Sequence, residues 1–423
     1  MQRMPGITDM RVRHSLPACA FAMMLLTLFY NDARAQSAMI DQPDRATNDA
    51  DAKAYEHSAA EGNWPKFGLE TIGSVEYART HSDNGPGRGP DTKLRLDSTF
   101  LLEFSDKLSV DGLFQYKPRQ PLPGDDPNKD LYVNQGPGRK EGGKMKELYV
   151  RTGEYRLGKF VQNFGRAYAL LPGAQAADFT EESEQGYEPS EMIGVEKIHV
   201  FKDESQGWRQ LTLSAFMADR TFLHRSFPYD EGRIHLADGG IGNTRLPENL
   251  MATWDVLRQP VGNWAQLDYQ ASVIRWGKTQ GAERGEIWST LGGNLNIPLH
   301  GSVDDTLRGN FSQARLYVEA ARRDNFNGVA GRARDYLSGA ASYFTGPWQV
   351  NLTTTQRWTT DRTAALQRDH LYTTSLSYTL PSRTVLALSV GREDVGGQRA
   401  SYVGIRITQT LTSCSRCVAS ERY

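Results

Sequence analysis

Four carboxylates are concentrated in an irregular stretch of the chain, 170–184, which reads LLPGAQAADFTEESE. They are Asp178, Glu181, Glu182 and Glu184. The stretch belongs to a longer segment without periodicity, 165–191, and connections longer than about 12–15 residues are uncommon and usually functional. Carboxylates that face cations across a narrow water-filled gap create a transverse field, which orients dipolar solutes and sets ion preference.

Cations that could face these carboxylates occur on the polar sides of the preceding segments. They are Lys93, Arg95, Lys117, Arg151 and Arg156. An acidic loop is, however, most often a solvated surface, and lysine and arginine are ordinary residues of a polar wall. From the residues alone, a charged constriction and a solvated loop both remain open.

Residues for other chemistry are scarce. His224 and Ser226 are close in sequence, but no nucleophile motif or spaced acid accompanies them. Cys414 and Cys417 form a C-x-x-C near the C-terminus without the further ligands that zinc requires. No phosphate-binding loop, dinucleotide fingerprint or zinc-protease motif is present. We therefore predict no catalytic residue, no metal and no cofactor, and a protein that is not an enzyme.

The segments that must position these charges alternate between apolar and polar residues. In TKLRLDSTFLLEF, for example, Leu94 and Leu96 lie on one face, and Lys93 and Arg95 on the other. This period of two is typical of strands with one face in an apolar medium and one in water. It recurs from Phe67 to Leu411, while the mean hydropathy of −0.56 excludes a bundle of membrane helices.

Short turns, for example 300–302, alternate with longer or more polar links, for example 393–397, between these segments. This alternation distinguishes two all-β classes. A soluble sandwich has long loops at both ends, whereas a transmembrane barrel has short turns at one rim and long loops at the other. We predict an all-β fold, a transmembrane antiparallel β-barrel of about 16 strands over 66–411. Different interpretations of the segments around 192–201 and 303–324 would give 14 or 18 strands.

The two ends of the chain lie outside this barrel. Residues 1–35 have the basic start, short apolar run and small-residue site of a secretory signal peptide. Residues 36–65 are predicted to form a polar periplasmic extension, and residues 412–423 a C-terminal tail. The formal net charge of −1 gives no indication of nucleic-acid binding.

The hairpin segment ELYVRTGEYRLGKFVQNFG, 147–165, resembles a strand pair of Gram-negative outer-membrane porins that leads into their third outer loop. The resemblance covers general diffusion, phosphate-selective and alginate-export porins. It implies an outer-membrane channel for small hydrophilic solutes and ions, narrowed by an inward-folded third loop. It also implies contact with outer-membrane lipid and lipopolysaccharide, and a homotrimer as a common assembly. One departure is the end of the chain, because TSCSRCVASERY follows the last strand.

Two narrower functions remain as alternatives. The wall bases would accommodate anionic solutes, which would suit a porin selective for anionic sugars or phosphate, whereas the loop acids favour mild cation preference. A non-conducting structural or adhesive barrel, whose long second and fourth links bind outside partners, is the third interpretation.

Overall fold

The computed structural model describes sixteen long strands and one strand of two residues. The described residues are 64–83, 90–116, 142–167, 171, 187, 189, 192–203, 207–227, 233–300, 312–361 and 367–415. Within these ranges, none of the helices has the length and apolar character needed to cross a membrane.

The strands take up most of the described chain. They are β1 Lys66–Ser82, β2 Pro90–Ser105, β3 Leu108–Tyr116, β4 Gly143–Thr152, β5 Tyr155–Phe160, β6 Met192–Asp203, β7 Gly207–Ala218, β8 Ser226–Phe227, β9 Asn249–Val261, β10 Ala265–Arg275, β11 Ile287–His300, β12 Ser312–Asp324, β13 Ala333–Thr345, β14 Trp348–Thr360, β15 Gln367–Thr379, β16 Thr384–Val395 and β17 Gln398–Ser415. In the described parts of the links there are three short 3-10 helices, at Phe222–His224, Leu236–Asp238 and Phe326–Gly328.

The long strands form a closed ring. Each pairs antiparallel with its neighbour in chain order, and β7 pairs with β9. The ring closes at β1, where Phe67 is in register with Leu102 of β2 on one side and with Ser415 of β17 on the other. Among the described strands, closure leaves no long strand with an open edge, and a hydrocarbon environment tolerates no open edge. The predicted sixteen-stranded barrel is confirmed.

The two faces of the wall have opposite chemistry. Large apolar side chains point outward and are exposed, for example Leu213, Leu250, Leu291, Val318, Leu352, Leu388 and Ile405. Polar and charged side chains point inward and are buried, for example Glu76, Glu196, Asp255, Gln270, Glu319 and Ser375. This arrangement is the inverse of a soluble protein and is that of a wall surrounded by lipid.

The predicted alternation of turns is present in the described links, with two differences. The link between β16 and β17 contains only Gly396 and Gly397, whose φ angles of 60° and 79° permit a tight hairpin, so the longer link predicted at 393–397 is wrong. Strand β12 is described from Ser312 onward, and its predicted start after the short turn at 300–302 lies outside the described residues. Strand β17 continues past Leu411 to Ser415 because it stays paired with β1.

An arginine should be tolerated on the inner face of β17 and not on its outer face. Ile405→Arg would place a guanidinium on the apolar side, which costs about 2–4 kcal/mol of unfolding free energy near the middle of a bilayer. Thr408→Arg is the matched control, because Thr408 is in register with Ser74 of the inner face. Urea unfolding in lipid vesicles, followed by tryptophan fluorescence, measures both. Equal losses would contradict the assignment of the faces.

Candidate functional site

The third outer link begins where β5 ends, at Phe160, and its first residues contact the inner face of the wall. The Asn163 side chain donates to Asp255 Oδ2 at 2.7 Å and accepts from Gln270 Nε2 at 2.9 Å. Thr253 Oγ1 donates to the Asn163 carbonyl oxygen at 2.7 Å. Thr253 and Asp255 lie on the inner face of β9 and Gln270 on that of β10, so this part of the link lies on the inside of the barrel.

One buried carboxylate, Glu319 on the inner face of β12, holds both described ends of the link. It accepts from the backbone N–H of Arg166 at 2.7 Å and of Ala167 at 3.3 Å. It also accepts from the hydroxyls of Tyr187 at 2.8 Å and Tyr317 at 2.7 Å. A carboxylate that is 1% exposed needs such donors to offset the loss of water. Glu319 therefore fixes the start and the return of the link on one side of the ring.

A second charge reinforces the attachment. Arg166 Nη2 lies 2.6 Å from Asp255 Oδ1, and the Asp255 side chain is fully buried. Because removing one member of a buried ion pair leaves an uncompensated charge, the two residues depend on each other.

Aromatic side chains complete the contact between the link and the wall. Phe164 is fully buried, with its ring centroid 6.0 Å from that of Trp288 on β11. Tyr187 packs edge-on against Tyr336 of β13, at 4.8 Å between ring centroids. These rings and Leu171 belong to one apolar cluster. Burial of such large rings stabilises the link on the inner face from β9 to β13.

A further buried pair supports Trp288. Glu286, just before β11, accepts from Trp288 Nε1 at 2.7 Å and lies 3.1 Å from Arg323 Nη2. The Arg323 guanidinium lies over the Trp288 ring at 4.2 Å. Burial raises the pKa of Glu286 to about 7, although the hydrogen bonds from Trp288 and the Gly328 N–H act in the opposite direction. The pair fixes the indole ring against which Phe164 packs.

The predicted loop acids lie outside the described residues. These are Asp178, Glu181, Glu182 and Glu184. They fall between Leu171 and Tyr187, two described residues that pack in the same cluster on the β9–β13 side. That these four carboxylates face the lumen stays a prediction.

Arg156 is the most buried of the described basic residues that were predicted for the pore wall. Its Nη2 lies 2.7 Å from Glu196 Oε1, and both side chains are almost inaccessible. The two residues are in register on β5 and β6. Lys93 belongs to β2, but its side chain and all of Lys117 lie outside the described residues.

Arg95 and Arg151 also lie beside carboxylates. Arg95 Nε is 2.8 Å from Asp97 Oδ2, two residues along β2. Arg151 Nη2 is 3.9 Å from Asp111 Oδ1 on β3. The inner face from β2 to β4 therefore carries closely spaced opposite charges. Sequence reasoning missed the acidic partners, although the strand register would have revealed them.

The inner face continues with the same chemistry at the closure of the ring. Arg406 Nη2 of β17 lies 3.0 Å from Glu76 Oε2 of β1. In the order of the ring, β17 and β1 to β4 are opposite β9 to β13, where the third link is attached. Charged wall and attached link thus occupy opposite sides of the lumen.

In fold, the chain is similar to outer-membrane proteins of known structure. OmpF of Salmonella typhi, solved with daunomycin, is 10% identical with a TM-score of 0.51, and the match covers 81% of this chain and 97% of OmpF. The outer-membrane channel DcaP of Acinetobacter baumannii is 14% identical with a TM-score of 0.49, covering 82% and 97%. An anion-selective porin from Comamonas acidovorans is 12% identical with a TM-score of 0.45, covering 82% and 100%. No protein-family model and no curated protein matches the sequence.

Loss of the Glu319 carboxylate should release the third link from the wall. Glu319→Gln removes an acceptor from buried donors, and each unsatisfied buried group costs about 1–3 kcal/mol. Tryptic cleavage after Arg166, followed by mass spectrometry of the folded protein, should therefore accelerate by about tenfold or more. Glu283→Gln is the matched control, because Glu283 is exposed and accepts only a backbone N–H from Ala330 in the described chain. Equal cleavage rates would contradict the attachment.

Proposed function

We propose that this protein is an outer-membrane porin, a water-filled channel through which small hydrophilic solutes and ions diffuse passively. The third outer link narrows the channel in this proposal. The observation that carries it is the attachment of both described ends of that link, through Glu319 and Asp255, to the inner face of the barrel. The role is not enzymatic, and the surroundings of the wall are outer-membrane lipid and lipopolysaccharide.

The inner face supports conduction through its paired charges. Arg95 with Asp97, and Arg151 with Asp111, present both signs within a few ångströms of each other. Such pairs can exchange hydrogen bonds with passing water and polar solutes without a large barrier to either ion sign. The wall is therefore suited to general diffusion.

The same pairing bears on the alternative of an anion-selective channel. Each described basic residue predicted for the pore wall has a carboxylate beside it, so its positive charge is partly offset. We infer that the wall contributes little net anion preference. In the proposal, the acids of the third link then give the channel mild cation preference.

Purified wild-type protein in a planar lipid bilayer should give stepwise openings with an ohmic current–voltage relation. The reason is that a polar lumen holds continuous water, through which current scales with voltage. A bilayer that stays silent at protein doses that insert would contradict the porin proposal and would favour a structural or adhesive barrel.

The loop acids should set the sign of the selectivity. Replacing Asp178 with Asn and Glu181, Glu182 and Glu184 with Gln should shift the reversal potential in a tenfold salt gradient toward anion preference. The matched control neutralises four acids of the second link, Asp125, Asp126, Asp130 and Glu141, and should leave the reversal potential close to wild type. If the loop variant keeps the wild-type reversal potential, these acids do not line the pore.

A further inference from the structure

Lys159 is a charged residue on the outer side of the barrel wall. It is in register with Leu148 of β4 and Ile193 of β6 and follows the outward-facing, exposed Leu157 by two residues. An ammonium on this side is costly in contact with lipid. Yet the Lys159 side chain is fully buried, so another part of the protein covers it.

The cover comes from the start of the fourth outer link. Asp219, directly after β7, places its Oδ2 2.9 Å from Lys159 Nζ, and both side chains have no exposed surface. Lys159 Nζ also donates to the Leu223 carbonyl oxygen at 3.0 Å. The Asp219 Oδ1 accepts from the N–H of Thr221 at 2.9 Å and from its hydroxyl at 2.7 Å. The turn is thus shaped to present a carboxylate and a carbonyl to one ammonium.

The same segment then reaches the neighbouring strand. Strand β8 pairs Ser226 with Lys144 and Phe227 with Gly143 of β4. The last pair between β5 and β4 joins Lys159 to Leu148, and β5 itself ends at Phe160. Strand β5 therefore does not pair with the part of β4 that precedes Leu148. The fourth link therefore passes from β7 to β4 across the end of β5. There it pairs with the part of β4 that β5 leaves unpaired, and so covers a strand edge that would otherwise be exposed.

This crossing lies at the place where the third link turns into the lumen. Phe160 follows Lys159 and is fully buried against Tyr149, at 6.2 Å between ring centroids. The chain reaches the inner wall at Asn163. Gly158 has a φ of 140°, and a Cβ there would lie 2.4 Å from the Leu148 carbonyl oxygen. The backbone before the turn is therefore closely held, and Lys159 is its last outward-facing charge.

We propose that the Lys159–Asp219 ion pair is a latch by which the fourth outer link, from outside the wall, fixes the position of the third link inside the pore. Lys159 and Asp219 are positioning residues of the channel, and the inference rests on the proposed porin function. Opening the latch would expose an ammonium beside lipid and loosen the turn at Phe160. The barrel itself would stay closed, because β5 keeps its pairing with β4 and β6.

Single-channel recording tests the latch. Asp219→Asn and Lys159→Met each remove one partner of a buried pair and should raise the frequency of brief closures by about tenfold or more, with the fully open conductance unchanged. Lys159→Arg keeps the cation and should restore long openings. The matched control is Asp335→Asn, which breaks a partly exposed pair with Arg322 at 3.1 Å and should behave as wild type.

The outcomes separate the two proposals. A wild-type protein that gives no channel current overturns the porin function. A conducting wild type whose latch variants show no more brief closures than it does overturns the latch alone. Heat-modified electrophoretic mobility should show that the latch variants and the control are folded barrels at the recording temperature, since loss of the folded barrel in Lys159→Met would overturn a specific positioning role. If Asp219→Asn does not insert, Thr221→Ala removes a hydroxyl donor to Asp219. It should give an intermediate closure frequency, and wild-type behaviour would overturn the latch.

Discussion

The requirement that every backbone group be hydrogen-bonded within the protein governs this structure. Hydrocarbon offers no partner for a free N–H or carbonyl, so a sheet can cross a membrane only as a closed ring. Pairing of β1 with both β2 and β17 meets that requirement. Because strand residues alternate between two faces, closure also separates an apolar exterior from a polar interior. The chemistry of the lumen follows from the same constraint that excludes lipid from it.

Charges inside the ring are stabilised by one another more than by exposure to bulk water. Glu319 collects four donors, two of them backbone N–H groups of the third link, and Asp255 pairs with Arg166. On the opposite side, Arg406 pairs with Glu76. The polar interior therefore also anchors the described ends of the third link, through Glu319 and Asp255.

The sequence predicted the parts of this architecture that are encoded locally. Alternation of apolar and polar residues and the parity of turns were sufficient for the barrel, and the segment around Arg151 and Arg156 indicated a hairpin that enters the third link. The contacts of that link could not be predicted in the same way. Arg166 and Asp255 are separated by 89 positions, and only closure of the ring brings them together. The tight hairpin at Gly396 and Gly397 was missed because a Gly pair is as compatible with a longer loop as with a two-residue turn.

The seam between β1 and β17 has a consequence for how the protein reaches its folded state. Phe67 and Ser415 are neighbours in space, but nearly all of the barrel's sequence lies between them. Contacts of such high sequence separation form slowly, since the entropy of closing the intervening chain is lost before they contribute. Until β17 pairs with β1, the free edge of β1 presents unpaired N–H and carbonyl groups. Such an edge favours association between chains. The unfolded chain therefore has to be kept apart from other copies until its final strand is in place.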